Sequence, residues 1–112
     1  MKNTKSLKLN RDFRRLYSRG KSHVGAYTVL YAQKNRLGSN RLGLNVSKST
    51  GKAVKRNRLK RLMREGYRLI EDRIEPGFDF ILVARARALG KTQARIQTDI
   101  EQSMRKLGLL RN

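Results

Sequence analysis

The chain has 112 residues and a formal charge of +20, because 28 lysines and arginines outnumber 8 acidic residues. This length suits a single domain over residues 1–112, and a charge of this size predicts a partner that neutralises it, nucleic acid first. The absence of cysteine excludes disulfides and cysteine-based zinc sites. No stretch approaches the ~20 apolar residues of a transmembrane helix, so we expect a cytoplasmic protein without a membrane partner.

The N-terminal residues 1–6 predict a flexible basic leader, whose lysines add nonspecific attraction to a polyanion. A short helix follows, with Asn10 as its N-cap and Gly20 as its end. Phe13 and Tyr17 lie four residues apart, so they share one face of this helix. Two interpretations of that face remain open: the rings pack against a sheet, or their edges line a groove in which nucleobases stack.

Two strands are predicted next. Residues 27–32 are β-branched and aromatic, which is typical of a strand. Residues 41–46 alternate, so that one face carries Leu42 and its apolar neighbours while Gly43 and Asn45 lie on a small, polar face suited to a ligand. Because a short polar loop over 33–40 links the strands, we expect them to pair as an antiparallel hairpin.

Ser47 and Lys48 open a connection that can offer backbone N–H and hydroxyl groups to phosphates. Beyond it, seven cations precede the first acid, Glu65. Apolar residues at helical spacing predict an amphipathic helix from about 53 to 74, with Gly66 on its buried arc packing closely on the sheet. The opposite arc forms a cationic ridge that no acid is spaced to neutralise; it comprises Asn57, Lys60, Arg61, Arg64 and Arg68.

The last elements are a strand and a helix. Residues 79–84 form a continuous apolar run, typical of a central strand buried on both faces. Thr92 is the predicted N-cap of a helix over 93–107. The order helix, strand, strand, helix, strand, helix predicts an α/β domain built as a two-layer sandwich.

No catalytic site is predicted on the protein. The sequence has no nucleophile motif, P-loop or dinucleotide fingerprint, and its acids are scattered without a pairing that suggests acid/base chemistry. The single histidine, His23, lies in a Gly/Ser-flanked stretch and is interpreted as a solvated loop residue. We therefore expect no metal site either.

Two segments carry a family resemblance: Val46-Ser-Lys and, after a short gap, Ala53-Val-Lys-Arg-Asn-Arg-Leu-Lys-Arg-Leu-Met-Arg-Glu. Together they resemble the signature of the bacterial ribonuclease P protein subunit family. Further matches in order and spacing run over residues 7–107, including Leu9-Asn-Arg-Asp-Phe, Arg41-Leu-Gly-Leu and Asp79-Phe-Ile-Leu-Val-Ala-Arg. Two positions depart mildly: Asn45 stands where serine is often found in the family, and Tyr17 where phenylalanine is common.

The resemblance implies an α/β sandwich with a left-handed βαβ crossover at the long helix, against the usual rule. It also implies assembly with a catalytic RNA that removes the 5′ leader of precursor tRNA, with Mg²⁺ held mainly by the RNA and no obligate protein partner. The catalytic RNA would contact a basic set: Lys52, Arg56, Asn57, Arg58, Lys60, Arg61, Arg64 and Arg68. The leader would lie along a groove set: Phe13, Tyr17, Tyr31, Asn45, Ser47 and Lys48.

Three other classes stay open on the residues alone. A structural RNA-binding protein of the ribosome fits the size, charge and absent cysteine equally well. A helix-turn-helix DNA-binding protein and a membrane-active cationic helix are both disfavoured by the strand patterns around the basic helix.

Overall fold

A five-stranded sheet organises the chain, and the computed structural model describes residues 1–111. The strands are β1 (Thr4–Ser6), β2 (Lys21–Val24), β3 (Thr28–Lys34), β4 (Asn40–Asn45) and β5 (Phe78–Ala84). The helices are α1 (Asn10–Arg19), α2 (Ala53–Ile70) and α3 (Gln93–Lys106). The predicted α/β class is confirmed. The predicted two-layer arrangement is wrong, because helices lie on both faces of the sheet, and β1 and β2 are absent from the predicted element order.

The strands lie in the order β1-β4-β5-β3-β2. As its apolar run predicted, β5 is the central strand, parallel to β4 and antiparallel to β3. The predicted hairpin between β3 and β4 is wrong, because β5 lies between them. A strand with both faces buried needs a hydrogen-bonding neighbour on each edge, and the loop over 35–39 is long enough for β3 and β4 to flank it.

Helices cover both faces of the sheet. On one face, Phe80 of β5 packs with Tyr67 of α2 and Ile100 of α3 in the main core, where all three side chains are fully buried. On the other face, Leu16 of α1 and Ile81 of β5 are buried in a smaller cluster. Burial of each large apolar side chain stabilises the fold by about 1.5–3 kcal/mol, so both clusters hold α1 and α2 on opposite sides of β5.

The predicted flexible leader over residues 1–6 is wrong in its C-terminal half. There β1 pairs in parallel with β4 and forms one edge of the sheet. The backbone N–H groups of Lys2 and Asn3 donate to the Glu71 carboxylate at 3.0 and 3.3 Å, and Leu7 is buried. These partners lie far away along the chain, so local polarity alone suggested disorder.

The interpretation of His23 as a solvated loop residue is also wrong. It lies in the edge strand β2, which pairs antiparallel with β3. Its Nδ1 atom is 2.9 Å from the hydroxyl of Ser103 in α3. The strand is short and mostly exposed, so it lacks the apolar alternation by which strands are recognised.

Helix boundaries shift by a few residues. The α1 N-cap is Leu9, not Asn10. Instead of continuing to residue 74, α2 ends at Ile70 and passes into a 3₁₀ turn. Gly66 packs against α3 and not against the sheet, since an added Cβ would lie 3.2 Å from the Gln97 Cα.

Two further expectations concern connections. Thr92 is confirmed as the α3 N-cap, because its side chain accepts a hydrogen bond from the Arg95 N–H. β4, α2 and β5 form the parallel β-α-β unit that the resemblance implies. The left-handed sense of that crossover stays a prediction.

Candidate nucleic-acid interface

The outer face of α2 presents the basic set. Its inner arc, which includes Leu59, Met63 and Tyr67, is buried in the main core. The exposed members of the basic set are Lys52, Asn57, Arg58, Arg61, Arg64 and Arg68, while Arg56 and Lys60 are half-buried. The predicted division of this helix into a buried arc and a cationic ridge is therefore confirmed.

Within residues 1–111, Arg68 is the one member of the basic set with a carboxylate partner. Its guanidinium donates to Glu65 three residues earlier, with Nε 3.1 Å from each carboxylate oxygen. This hydrogen bond lowers the pKa of Glu65. The expectation that no acid is spaced to neutralise the ridge is thus wrong at Arg68.

The remaining cations of the helix repel one another. Arg56 and Lys60 lie at i, i+4, as do Lys60 and Arg64, and like charges at this spacing destabilise a helix by about 0.2–0.5 kcal/mol per pair. The first turn of α2 contains no acid, and its N-cap, Lys52, makes no side-chain capping hydrogen bond. Positive charge therefore accumulates where the helix dipole is already positive, and a bound polyanion would relieve it.

In the connection before α2, the hydroxyl groups hydrogen-bond with one another. The Ser47 hydroxyl is 2.8 Å from that of Ser49 and 3.1 Å from that of Thr50. Ser47 and Lys48 are exposed, just beyond the end of β4. These two members of the groove set thus lie between the sheet and the cationic helix.

The other members of the groove set come into direct contact across α1, β3 and β4. The rings of Tyr17 and Tyr31 meet edge to face with centroids 4.9 Å apart, and Phe13 lies 6.3 Å from Tyr17. The Asn45 Nδ2 group donates to the Tyr17 hydroxyl at 2.7 Å. Gly43 makes room for Phe13, because a Cβ there would lie 2.5 Å from the tip of the ring.

The two interpretations of the aromatic face apply to different rings. Phe13 is half-buried and packs with the smaller cluster beneath α1. Tyr17 is 38% exposed, so part of the residue remains accessible to a ligand. Core packing thus describes Phe13, whereas Tyr17 and the half-buried Tyr31 keep exposed area at the position of the predicted groove.

Sequence reasoning did not assign to this site two valines that lie beside the rings. Val83 lies opposite Asn45 in the β4–β5 register and opposite Val29 in the β3–β5 register. Val29 and Val83 are half-buried on the same face as Tyr31. Period-two alternation from Tyr31 and Ile81 was the signal that could have located them.

Among the residues that the structure describes, neither a metal-binding cluster nor a membrane-spanning helix adds to these surfaces. In the described part of the chain, no group of three or more His, Asp or Glu side chains is placed to hold a metal ion. No helix among those residues is both long and apolar enough to cross a membrane. A cationic helix face beside partly exposed aromatic rings on an α/β sandwich is an arrangement typical of nucleic-acid-binding domains.

Comparisons with known proteins identify the family. The sequence profile of the family described as Ribonuclease P matches residues 1–108. The chain is 43% identical over 105 residues to the ribonuclease P protein component of Clostridioides difficile strain 630, covering 93% of this chain and 89% of that relative. It is also 43% identical over 105 residues to that of Clostridium kluyveri, covering 92% and 94%.

Solved structures agree with this match. The RNase P protein of Staphylococcus aureus superposes with a TM-score of 0.85 at 34% identity, covering 94% of this chain and 96% of that one. The RNase P protein of Thermotoga maritima gives a TM-score of 0.80 at 31% identity, covering 88% and 93%. The chain belongs to the ribonuclease P protein component family.

Proposed function

We propose that this chain is the RNA-binding subunit of ribonuclease P, in which it contacts the catalytic RNA and the 5′ leader of precursor tRNA. It assists endonucleolytic removal of the leader, which leaves the mature tRNA 5′ end. The observation that carries this proposal is the presence of two distinct surfaces, a cationic helix face and an aromatic groove, on a member of this family. Cytoplasmic localisation and the absence of an obligate protein partner remain predictions.

The basic set on α2 is suited to a folded RNA. An arginine guanidinium is a planar fork that can pair two phosphate oxygens at once. Arg61 and Arg64 are exposed and, within residues 1–111, have no carboxylate partner, so their donors are free for phosphates. Asn57 adds a group that can hydrogen-bond a base or a ribose hydroxyl, which contacts to phosphate alone would not supply.

The groove set is suited to an extended single strand. Stacking on an exposed ring stabilises a bound base by about 1–3 kcal/mol and tolerates any base. Tyr17 and Tyr31 supply the rings, and the Asn45 amide places a polar group beside them. Lys48 lies three residues beyond the end of β4, where it can meet a phosphate of the RNA as the RNA leaves the groove. We therefore expect the groove to bind leaders without a strong preference for their base sequence.

The chemistry of bond cleavage is assigned to Mg²⁺ held mainly by the RNA. Magnesium prefers oxygen ligands, commonly one or two carboxylates. The Asp12 and Asp79 carboxylates lie close together, but both are engaged by Arg15 and Arg41. This donor set does not fit a magnesium ion, so the protein's part is to bind and position RNA.

Reconstitution with a bacterial ribonuclease P RNA at low Mg²⁺ tests this function. Adding the protein should increase the rate of precursor-tRNA cleavage at the 5′ end of the mature sequence. An equal amount of another small basic RNA-binding protein is the control for nonspecific charge neutralisation. Stimulation no greater than that of the control would rule out the proposed function.

A further inference from the structure

An ion-pair cluster built around a buried aspartate joins α1 to the sheet on the face that carries the groove. At its centre is Asp79 of β5, which is 1% exposed. One carboxylate oxygen accepts hydrogen bonds from Arg41 Nε at 2.8 Å and Asn35 Nδ2 at 2.9 Å. The other accepts from Arg41 Nη2 at 2.7 Å and Arg15 Nη2 at 2.6 Å. Both oxygens are thus fully engaged.

The cluster binds α1 to three strands at once. Arg15 of α1 also donates through Nε to Gln33 of β3 at 2.8 Å and through Nη1 to Asp12 at 3.0 Å. Gln33 and Arg41 both lie opposite Asp79 in the sheet register. A single row of side chains across β4, β5 and β3 therefore receives α1.

The cluster is electrically neutral, with two aspartates facing two arginines. In a chain of charge +20, these arginines are committed to internal carboxylates and are not free for phosphate. Burial alone would raise the pKa of Asp79, but hydrogen bonds from Arg41 and Asn35 outweigh it and lower the pKa. The carboxylate therefore stays ionised at neutral pH, as the bidentate pairing with Arg41 requires.

The hydrogen bonds of the Asp79 cluster are directional, and they control the geometry of the groove, which begins at the next row of side chains on the same face of the sheet. Gly43 and Tyr31 are the next residues on this face, and they receive the rings of Phe13 and Tyr17 from α1. Apolar contacts are non-directional, so they allow a helix to shift along or rotate on the sheet. A bidentate guanidinium–carboxylate pair fixes orientation as well as distance.

We propose that Asp79 is a positioning residue for the leader: through Arg15 and Arg41 it fixes α1 at the angle that holds Tyr17 against Tyr31 and Asn45. This inference rests on the proposed function, since it concerns leader binding in the groove. Asp79 itself is buried and does not contact the RNA. Buried ion pairs often contribute little net stability, so the fixed geometry of α1 is the main consequence of this one.

The test uses the reconstituted holoenzyme and the ratio of its affinities for leader-bearing and leaderless tRNA. Asp79→Asn should lower this ratio about tenfold, the equivalent of one lost stacking contact, while affinity for the catalytic RNA is unchanged. Arg15→Gln, which leaves the Asp79–Arg41 pair in place, should lower the ratio by a smaller factor and provides the test if Asp79→Asn fails to fold.

Asp99→Asn is the matched control. Asp99 is also buried and also accepts four hydrogen bonds, but its partners lie in residues 26–28 and not in α1. All variants are compared at a temperature at which each is folded. A ratio that falls no further in Asp79→Asn and Arg15→Gln than in Asp99→Asn would overturn the positioning role. A wild-type holoenzyme with no preference for leader-bearing tRNA would overturn the proposed leader site itself.

Discussion

Replacing Asp99 with alanine should destabilise the fold strongly, although Asp99 lies outside both proposed RNA surfaces. Its carboxylate in α3 accepts the backbone N–H groups of Ala26, Tyr27 and Thr28 at 2.7, 3.1 and 2.8 Å, and the Thr28 hydroxyl at 2.8 Å. It thereby holds the turn between β2 and β3. Gly25 belongs to the same contact, because a Cβ there would lie 2.5 Å from the carboxylate.

The magnitude follows from which donors are left without a partner. The two Thr28 donors are fully buried, and each loses a hydrogen bond to a charged group, which contributes about 1.5 kcal/mol or more. The Ala26 and Tyr27 N–H groups adjoin an open cavity of about 330 Å³, where water can replace the carboxylate. We therefore expect a loss of about 3 kcal/mol, which lowers the midpoint of thermal unfolding by about 12 °C in a domain of this size.

Urea unfolding of wild type and Asp99→Ala, followed by circular dichroism, measures this free energy directly. Glu101→Ala is the matched control on the same helix, because its ion pairs with Arg73 and Arg105 are long, 3.8 Å each, and partly exposed. Such pairs contribute about 1 kcal/mol or less. A cost for Asp99→Ala no larger than that of the control would refute the role of this carboxylate.

Three further predictions concern packing and pH. Gly43→Ala should displace the Phe13 ring, lower the free energy of unfolding by about 1–3 kcal/mol and weaken binding of leader-bearing tRNA. Unchanged binding would show that the position of Phe13 does not matter for the groove. Burial raises the pKa of Tyr67 to about 12, so stability from the neutral phenol is present below about pH 10 and lost as pH rises through the folded-state value. Urea midpoints measured from about pH 9 to about pH 11, one unit either side of the ordinary phenol pKa, should fall more steeply for wild type than for Tyr67→Phe. The pKa of Asp79 is lowered, so its contribution to stability depends on pH in the opposite direction: it is present above about pH 4 and lost in acid. Asp79→Asn should therefore lose less stability than wild type as the pH is lowered below about 4. An equal loss of stability in acid for both proteins would contradict this.

Local patterns in the sequence predict the elements that bury a regular apolar face. The run of apolar residues in β5, the helical spacing in α2 and the Thr92 cap of α3 each depend on neighbours within a few positions. The strand β1 could not be found in this way, since its partners are the edge of β4 and the Glu71 carboxylate. The misassigned hairpin has a related cause, because β5 enters the sheet from about 40 residues further along the chain.

In the candidate site, too, the features set by nearby residues could be predicted from the sequence, and those set by distant residues could not. Helical periodicity was sufficient to separate the ridge of α2 from its buried arc, and the i, i+3 spacing of Glu65 and Arg68 was readable as well. The contact between Tyr17 and Asn45 depends on how α1 crosses the sheet. Because the Asp79 cluster sets that crossing through distant residues, no local pattern could indicate it.

The most direct test of the two-surface account compares Arg64→Ala with Tyr31→Ala in two binding measurements. Arg64→Ala should weaken binding to the catalytic RNA and reduce the salt dependence of that binding by about 0.7–0.9 in log–log slope, with leader discrimination unchanged. Arg105→Ala, an exposed cation on α3, controls for net charge. Tyr31→Ala should reduce affinity for leader-bearing tRNA more than for leaderless tRNA and leave binding of the catalytic RNA intact. Equal losses in both measurements for both variants would contradict the existence of two separate RNA surfaces.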